Sequence, residues 1–242
     1  QNIPKELAGH SIKKIFTTSG SDMVFVNVDA KGAEVKIFAA YSGDAELIRS
    51  LNAGMDTHCF IASKIIDTVK QSPTWVADLG AMGLPPQYAY TYDDFNNRKK
   101  IKKTDPVYYE ILNKFRDAIK RVVFGILYGA GPGKIAETIG ISLDQAKLII
   151  AYLFKLFPSI PRYIEHTKWE LATFGMVETF FGRRRRFAIK NATGYLRKRA
   201  ERQAVNFKIQ STSSDIVMQC LLHIAPIIKK LGGQVLLTVH DS

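Results

Sequence analysis

The sequence predicts an α+β fold, with strands near both ends and a mostly helical middle. Three observations carry this. Met23-Val24-Phe25-Val26-Asn27-Val28-Asp29 is an apolar run ending in a carboxylate, and Gln234-Val235-Leu236-Leu237-Thr238-Val239 is a second one leading to Asp241. Between them, apolar residues recur at helical spacing in segments bounded by Ser, Gly and Pro. Hydrophobic residues make up 46% of the 242 positions and charged residues 23%, which excludes a disordered polyelectrolyte and leaves ample material for a core.

Taken in order, Met23 to Asp29 reads as a buried strand. Glu34 to Arg49 reads as a helix, with Val35, Phe38 and Ala39 on one face. Thr57 to Val69 is a second helix, capped by Asp56 or Thr57. Residues 70–106 read as loop, punctuated by Gln71-Ser72-Pro73 and Gly83-Leu84-Pro85-Pro86 and ending in a Lys-rich stretch; so long an irregular segment suggests an insertion or a mobile element. Val107 to Tyr128 is a long helix closed by Gly129-Ala130-Gly131-Pro132-Gly133. Ser142 to Leu156 is a capped helix stopped by Pro158, and Pro161 to Phe174 is another stopped by Gly175. Val177 to Phe181 reads as a strand running into a turn at Gly182, and Tyr195 to Leu231 as one or two helices. Gly232-Gly233 then turns the chain into the final strand. If the two terminal strands pair, Asp29 and Asp241 meet at their ends.

The chain carries a net +12, and that charge is local. Residues 96–121 hold nine Lys/Arg against three Asp/Glu, and residues 183–202 hold nine against one, so these two stretches exceed the whole excess. Two separate basic clusters point to a polyanion. A membrane surface fits less well, because neither cluster alternates with an apolar face, and no apolar run reaches the ~18 residues of a spanning helix. Cys59 and Cys220 stand alone, which excludes a disulfide scaffold or a cysteine-based zinc site and fits a reducing compartment. The chain starts at Gln1 without Met and stops straight after an apolar run, at His240-Asp241-Ser242, so it is expected to be an internal piece of a longer protein.

Two patterns carry chemistry. Two aspartates at strand ends are hard oxygen ligands suited to Mg²⁺, although each taken alone reads better as an ordinary strand-end or turn residue. Arg116, Lys120, Phe124 and Tyr128 recur every four residues; each step turns a helix about 40° past a full circle, so the four form a slowly drifting stripe. It runs from two cations to two aromatics, an order that suits phosphates at one end and a sugar and base at the other, or equally a surface helix with a half-buried aromatic edge.

Arg116-x3-Lys120-x3-Phe124-Gly125-x2-Tyr128-Gly129 resembles the fingers-helix motif of family A DNA polymerases, the DNA polymerase I group. Asp29-Ala30-Lys31-Gly32-Ala33-Glu34 is similar to that family's first palm motif, Asp56-Thr57-His58 to the segment just after it, and Val239-His240-Asp241 to its last palm motif. The run from Glu201 to Thr212 resembles the helix before that last motif, and Gln1-Asn2-Ile3-Pro4 the entry to the palm. The likeness covers nearly the whole chain in order, which makes the set far more specific than any short piece.

The resemblance implies a right-hand polymerase: a palm, made of a small antiparallel sheet with flanking helices, and a mostly helical fingers subdomain. Residues 1–50 would be the first part of the palm, 51–200 the fingers with the nucleotide-binding helix 107–129, and 201–242 the second part of the palm. It implies template-directed DNA synthesis, in replication or repair, by two-metal phosphoryl transfer onto a primer 3′-hydroxyl with release of pyrophosphate. Asp29 and Asp241, with the Ala30 carbonyl, would hold two Mg²⁺ ions, with Mn²⁺ able to substitute. His58, Arg116 and Lys120 would bind the triphosphate, with Lys120 also protonating the leaving pyrophosphate; Phe124 would pack on the sugar, and Tyr128 with Glu34 would close the space of a ribose 2′-hydroxyl. Asn2, Gly129, Arg183, Arg202, Asn206, Gln210 and His240 would meet DNA. Implied partners are primer–template DNA and deoxynucleoside triphosphates, with a processivity factor or other replisome proteins left unidentified, no membrane, and a cytoplasmic setting.

Some residues depart from the family's pattern. Val35-Lys36 stands where a hydrophobic residue and Arg are usual, Lys31 replaces a small hydroxyl residue, and Ser242 stands where Glu is usual. With the insertion, these departures suggest a phage or other viral lineage, which would place the protein in a bacterial host's cytoplasm. Single-subunit RNA polymerases resemble the chain in His240-Asp241-Ser242, but Glu34 stands where they carry a small residue. The remaining alternative is a catalytically inert nucleic-acid-binding piece.

Overall fold

The computed structural model describes residues 6–7, 10–11, 18, 20, 22–26, 28, 30, 32–189 and 192–236, with backbone alone at 6–7 and 10–11. Two compact units divide the chain: Glu34–Thr212, and Gln1–Ala33 together with Ser213–Ser242.

In the second of these, β1 (Glu6–Leu7) pairs antiparallel with β2 (His10–Ser11), Leu7 opposite His10. The expected strand at 23–29 is not formed at Met23–Val26 or Val28; Val24 and Val26 are 82% and 80% exposed. Nor do residues 234–236 form the start of the second strand, whose remainder, 237–239, lies outside the described residues. A strand is a ladder and not a property of one segment: its N–H and C=O groups need a partner strand. Among the described residues no strand pairs with either run, so apolar alternation alone does not bury them. Asn2, Asp29, His240 and Asp241 also lie outside the described residues.

Glu34–Thr212 is helical. The segment predicted as one helix is two, α1 (Ala33–Ser42) and α2 (Ala45–Asn52). Gly43 breaks it at φ +62°, and Asp44 caps α2 by accepting from the Leu47 amide at 3.1 Å. The next helix, α3 (Thr57–Val69), is enclosed almost all round, burying Phe60, Ile61, Ile65, Ile66 and Val69.

Residues 70–106 are not a loop. They carry α4 (Trp75–Ala81), α5 (Tyr92–Asn96) and α6 (Arg98–Ile101). Helices this short lie below the length at which periodicity shows, and they hold through side chains. Tyr90 and Phe95 are fully buried, Tyr88 stacks on Tyr108 at 4.1 Å, and the Tyr90 amide donates to Tyr108 Oη at 2.9 Å.

The long helix α7 (Pro106–Leu127) starts at Pro106, where a missing N–H costs nothing, with Asp105 as cap. It turns Leu112, Phe115, Ile119, Val122, Val123 and Ile126 inward, each stabilising by roughly 1.5–3 kcal/mol on burial. An additional helix, α8 (Pro132–Ile139), opens the same way at Pro132 and ends at Gly140, φ +71°. It lies against α7 at Gly125, where a Cβ would come within 2.9 Å of Ile135. The helix α9 (Leu143–Leu156) has a capping box of Ser142 and Gln145, and α10 (Ser159–Phe174) ends at Gly175. Then β3 (Met176–Glu178) pairs antiparallel with β4 (Arg184–Arg186), Glu178 opposite Arg184. Last comes a single helix, α11 (Gly194–Lys230), with Pro226 inside it; its part up to Thr212 buries Ala204, Val205 and Ile209. No helix among the described residues is long and apolar enough to cross a membrane.

Candidate functional site

The stripe on α7 meets the start of α3. Asp56 Oδ1 caps α3 by accepting from the amides of His58 and Cys59, both at 3.0 Å, and Oδ2 accepts from Arg116 Nη2 at 2.8 Å. Arg116 also donates through Nε to Cys59 Sγ at 3.3 Å, and its Nη1 lies 3.5 Å from Asp117. Its side chain is 15% exposed, so this is an anchored guanidinium and not a solvated one. Burial works to raise the Asp56 pKa, but the Cys59 amide and then Arg116 outweigh it and hold the carboxyl at about 2. Burial also pushes the Cys59 thiol upward.

One turn on, Lys120 is exposed, and among the described residues nothing bonds or pairs with it. With Asp117, Arg121, Phe124, Gly125 and Tyr128 it lines a groove of about 510 Å³. The aromatic end of the stripe forms a row of rings: His58 and Phe124 lie 6.0 Å apart at 29°, Phe124 and Tyr128 6.2 Å apart at 23°. The Tyr128 hydroxyl donates to the Glu34 carboxylate, at 2.9 and 3.2 Å to its two oxygens. His58 is held neutral, its pKa lowered to about 4 by burial first and then by the Arg116 charge. Its Nε2 is buried with no partner among the described residues, the kind of atom a ligand satisfies.

Six residues singled out in the sequence, Glu34, His58, Arg116, Lys120, Phe124 and Tyr128, therefore come together. Others singled out lie further along the chain. Gly129, φ +68°, lets the chain approach α11: a Cβ there would lie 2.8 Å from Arg202 Cα. On α11, Arg202 lies near the Tyr195 ring, Asn206 has a buried and unpartnered Oδ1, and Gln210 is exposed. Arg183 is exposed, Arg184 pairs with Glu178, and Arg185 lies over the rings of Phe187 and Phe207. Of the residues implied for metal, Ala30 alone is described; no group of three or more His, Cys, Asp or Glu among the described residues is placed to hold a metal ion.

Sequence reading missed the second task of Asp56 and the parts played by Cys59 and Tyr92. Tyr92 Oη accepts from the Asp56 amide at 3.2 Å. A carboxylate capping the helix that presents His58 was the signal for Asp56; Tyr92 gave none, since nothing periodic surrounds it.

A model of DNA polymerase family A matches residues 1–74 and 96–242. The chain belongs to DNA polymerase family A. Across its full length it is 31% identical to DNA polymerase I of Chloroflexus aurantiacus and 30% identical to the thermostable DNA polymerase I of Thermus thermophilus. It spans 22% and 25% of those proteins. The POL domain of Pol1 from M. smegmatis, solved in complex with DNA primer-template and dNTP, superposes with a TM-score of 0.65 at 26% identity, over 88% of this chain and 31% of that one. The family A fold is thus seen here as an α+β piece of a right-hand polymerase, mostly helical with small antiparallel sheets. Residues 75–95 fall outside the family match and are the Tyr-rich part of the insertion.

Proposed function

We propose that this chain is the palm-and-fingers part of an enzyme that adds deoxynucleotides to a primer 3′-hydroxyl, as directed by a template. What carries the reading is the convergence of two cations and three rings, closed at the far end by Glu34, in a member of this family.

The attacking group belongs to the primer, so the protein needs no nucleophile of its own. Its task is to position the triphosphate and to meet the charge on it. Arg116, fixed by Asp56, offers a cation of set direction, and exposed Lys120 reaches the phosphates and gives a proton to the leaving pyrophosphate. Neutral His58 supplies a hydrogen bond without a competing charge. Phe124 packs on the sugar, and the Tyr128–Glu34 hydrogen bond walls off the space a 2′-hydroxyl would need. Asp29, Asp241 and the Ala30 carbonyl are a hard oxygen set suited to two Mg²⁺ ions, which when bound would neutralise the triphosphate and polarise the primer hydroxyl. Arg183, Arg202, Asn206, Gln210, Asn2 and His240 are assigned to primer–template DNA, and Gly129 serves them by letting α11 sit close to α7.

The test is sugar selection. In a fluorescence titration with primer–template and Mg²⁺, the chain should bind a deoxynucleoside triphosphate more tightly than the ribonucleotide, and Glu34→Ala should narrow the gap. Equal affinity for both sugars in the unaltered chain would overturn the reading.

A further inference from the structure

The insertion outside the family match is a built structure that reaches the site. Thr91 and Asp94 form a capping box that fixes the start of α5, and so fixes Tyr92. Behind it, Tyr90 is fully buried at φ +58°, a conformation rare for a bulky residue that persists only when its surroundings impose it. Here they do. The Tyr90 hydroxyl donates to the Pro85 carbonyl at 2.8 Å, and the Tyr108 hydroxyl that receives the Tyr90 amide donates in turn to Asp94 Oδ2 at 3.0 Å.

From this base two contacts lead to Arg116. Tyr92 Oη accepts from the amide of Asp56, the one N–H of that capping residue the α3 ladder leaves unused. Just past the insertion, Arg98 donates to the Phe95 carbonyl at 2.9 Å, to Asn113 at 3.2 Å and, at 3.8 Å, to the same Cys59 sulfur that receives Arg116. Asp56 is therefore held by its backbone from the insertion, while its carboxylate holds both α3 and the Arg116 guanidinium.

We propose that the 75–95 insertion sets the direction of Arg116 toward a triphosphate, and that Tyr92 is its positioning residue, acting through Asp56. This rests on the reading of the site as a nucleotide site. A groove filled by an insertion for stability alone would need the buried rings but not a hydroxyl on the backbone of the residue that carries Arg116.

The experiment is a double-mutant cycle read as deoxynucleoside triphosphate affinity with primer–template and Mg²⁺. Tyr92→Phe keeps the ring and removes the acceptor. It should weaken binding about three- to tenfold, the scale of one lost hydrogen bond, while shifting the melting temperature by less than about 4 °C. In an Asp56→Ala background the same change should weaken binding by less than about twofold, because the path is already cut. Unchanged affinity in Tyr92→Phe, beside a clear loss in Arg116→Ala, would overturn the positioning role and leave the nucleotide site standing. Equal effects of Tyr92→Phe in the two backgrounds would also overturn it. No loss in Arg116→Ala would remove the nucleotide reading and this inference with it.

Discussion

Arg116 and Lys120 lie one turn apart on α7, carry the same charge and face nearly the same way, yet their circumstances are opposite. Arg116 is enclosed and bonded to Asp56 and Cys59. Lys120 is exposed, with no such partner among the described residues, and it borders the groove. The difference comes from what packs on each turn. The start of α3 covers one and solvent covers the other. The planar fork of Arg suits a fixed, multiply bonded place, and the flexible stem of Lys suits a group that must reach. Spacing makes two residues neighbours; tertiary packing decides which is an anchor.

The largest effect should come from removing the anchor's support. Asp56→Ala deletes the cap of α3 and strands a mostly buried guanidinium, at a cost of about 2–3 kcal/mol in urea unfolding. Lys120→Ala should cost under about 0.5 kcal/mol in the same experiment. Equal losses would erase the contrast. A smaller separation is expected from exchanging the two chemistries. Arg116→Lys cannot reach Asp56 and Cys59 together and should lose about 1 kcal/mol, whereas Lys120→Arg should be neutral to stability; a neutral Arg116→Lys would mean that charge alone matters there.

The remaining prediction concerns pH. His58 titrates at about 4 in the fold and 6.5 in the open chain, so the unfolded state binds the extra proton between those values. Its contribution is complete above pH 6.5 and is lost as pH falls toward 4. Asp56, at about 2 against 3.8, adds a further loss in the same direction at lower pH. The melting temperature should be flat above pH 6.5 as far as these groups are concerned and fall below it, and His58→Gln should flatten the stretch between pH 6.5 and 4 alone. An unaltered profile in that variant would show that His58 is not the group that titrates.

What could be read beforehand follows the range of the forces involved. Caps at Asp56 and Ser142, stops at Gly175 and the length of α7 are local chemistry, and the sequence displays them. The break at Gly43 was also local, but continuous apolar residues concealed it. The terminal strands are not formed at the described residues 23–26, 28 and 234–236 because pairing is non-local, and the insertion was misread because its order lies in tyrosines 20 or fewer residues apart that meet without any period. In the site, the stripe was visible because one helix supplies it. The Asp56–Arg116 pair, 60 positions apart, and the Tyr92 contact, 36 apart, were not, since nothing on either segment names its partner.

Cys59 gives this enclosure a clock. Its sulfur lies buried between Arg116 and Arg98, whereas Cys220 is exposed. A maleimide dye should therefore mark Cys220 at once and Cys59 only when α3 and α7 part. The slow phase of labelling then counts openings of the pocket around Arg116, and anything that grips the site from outside should lengthen it.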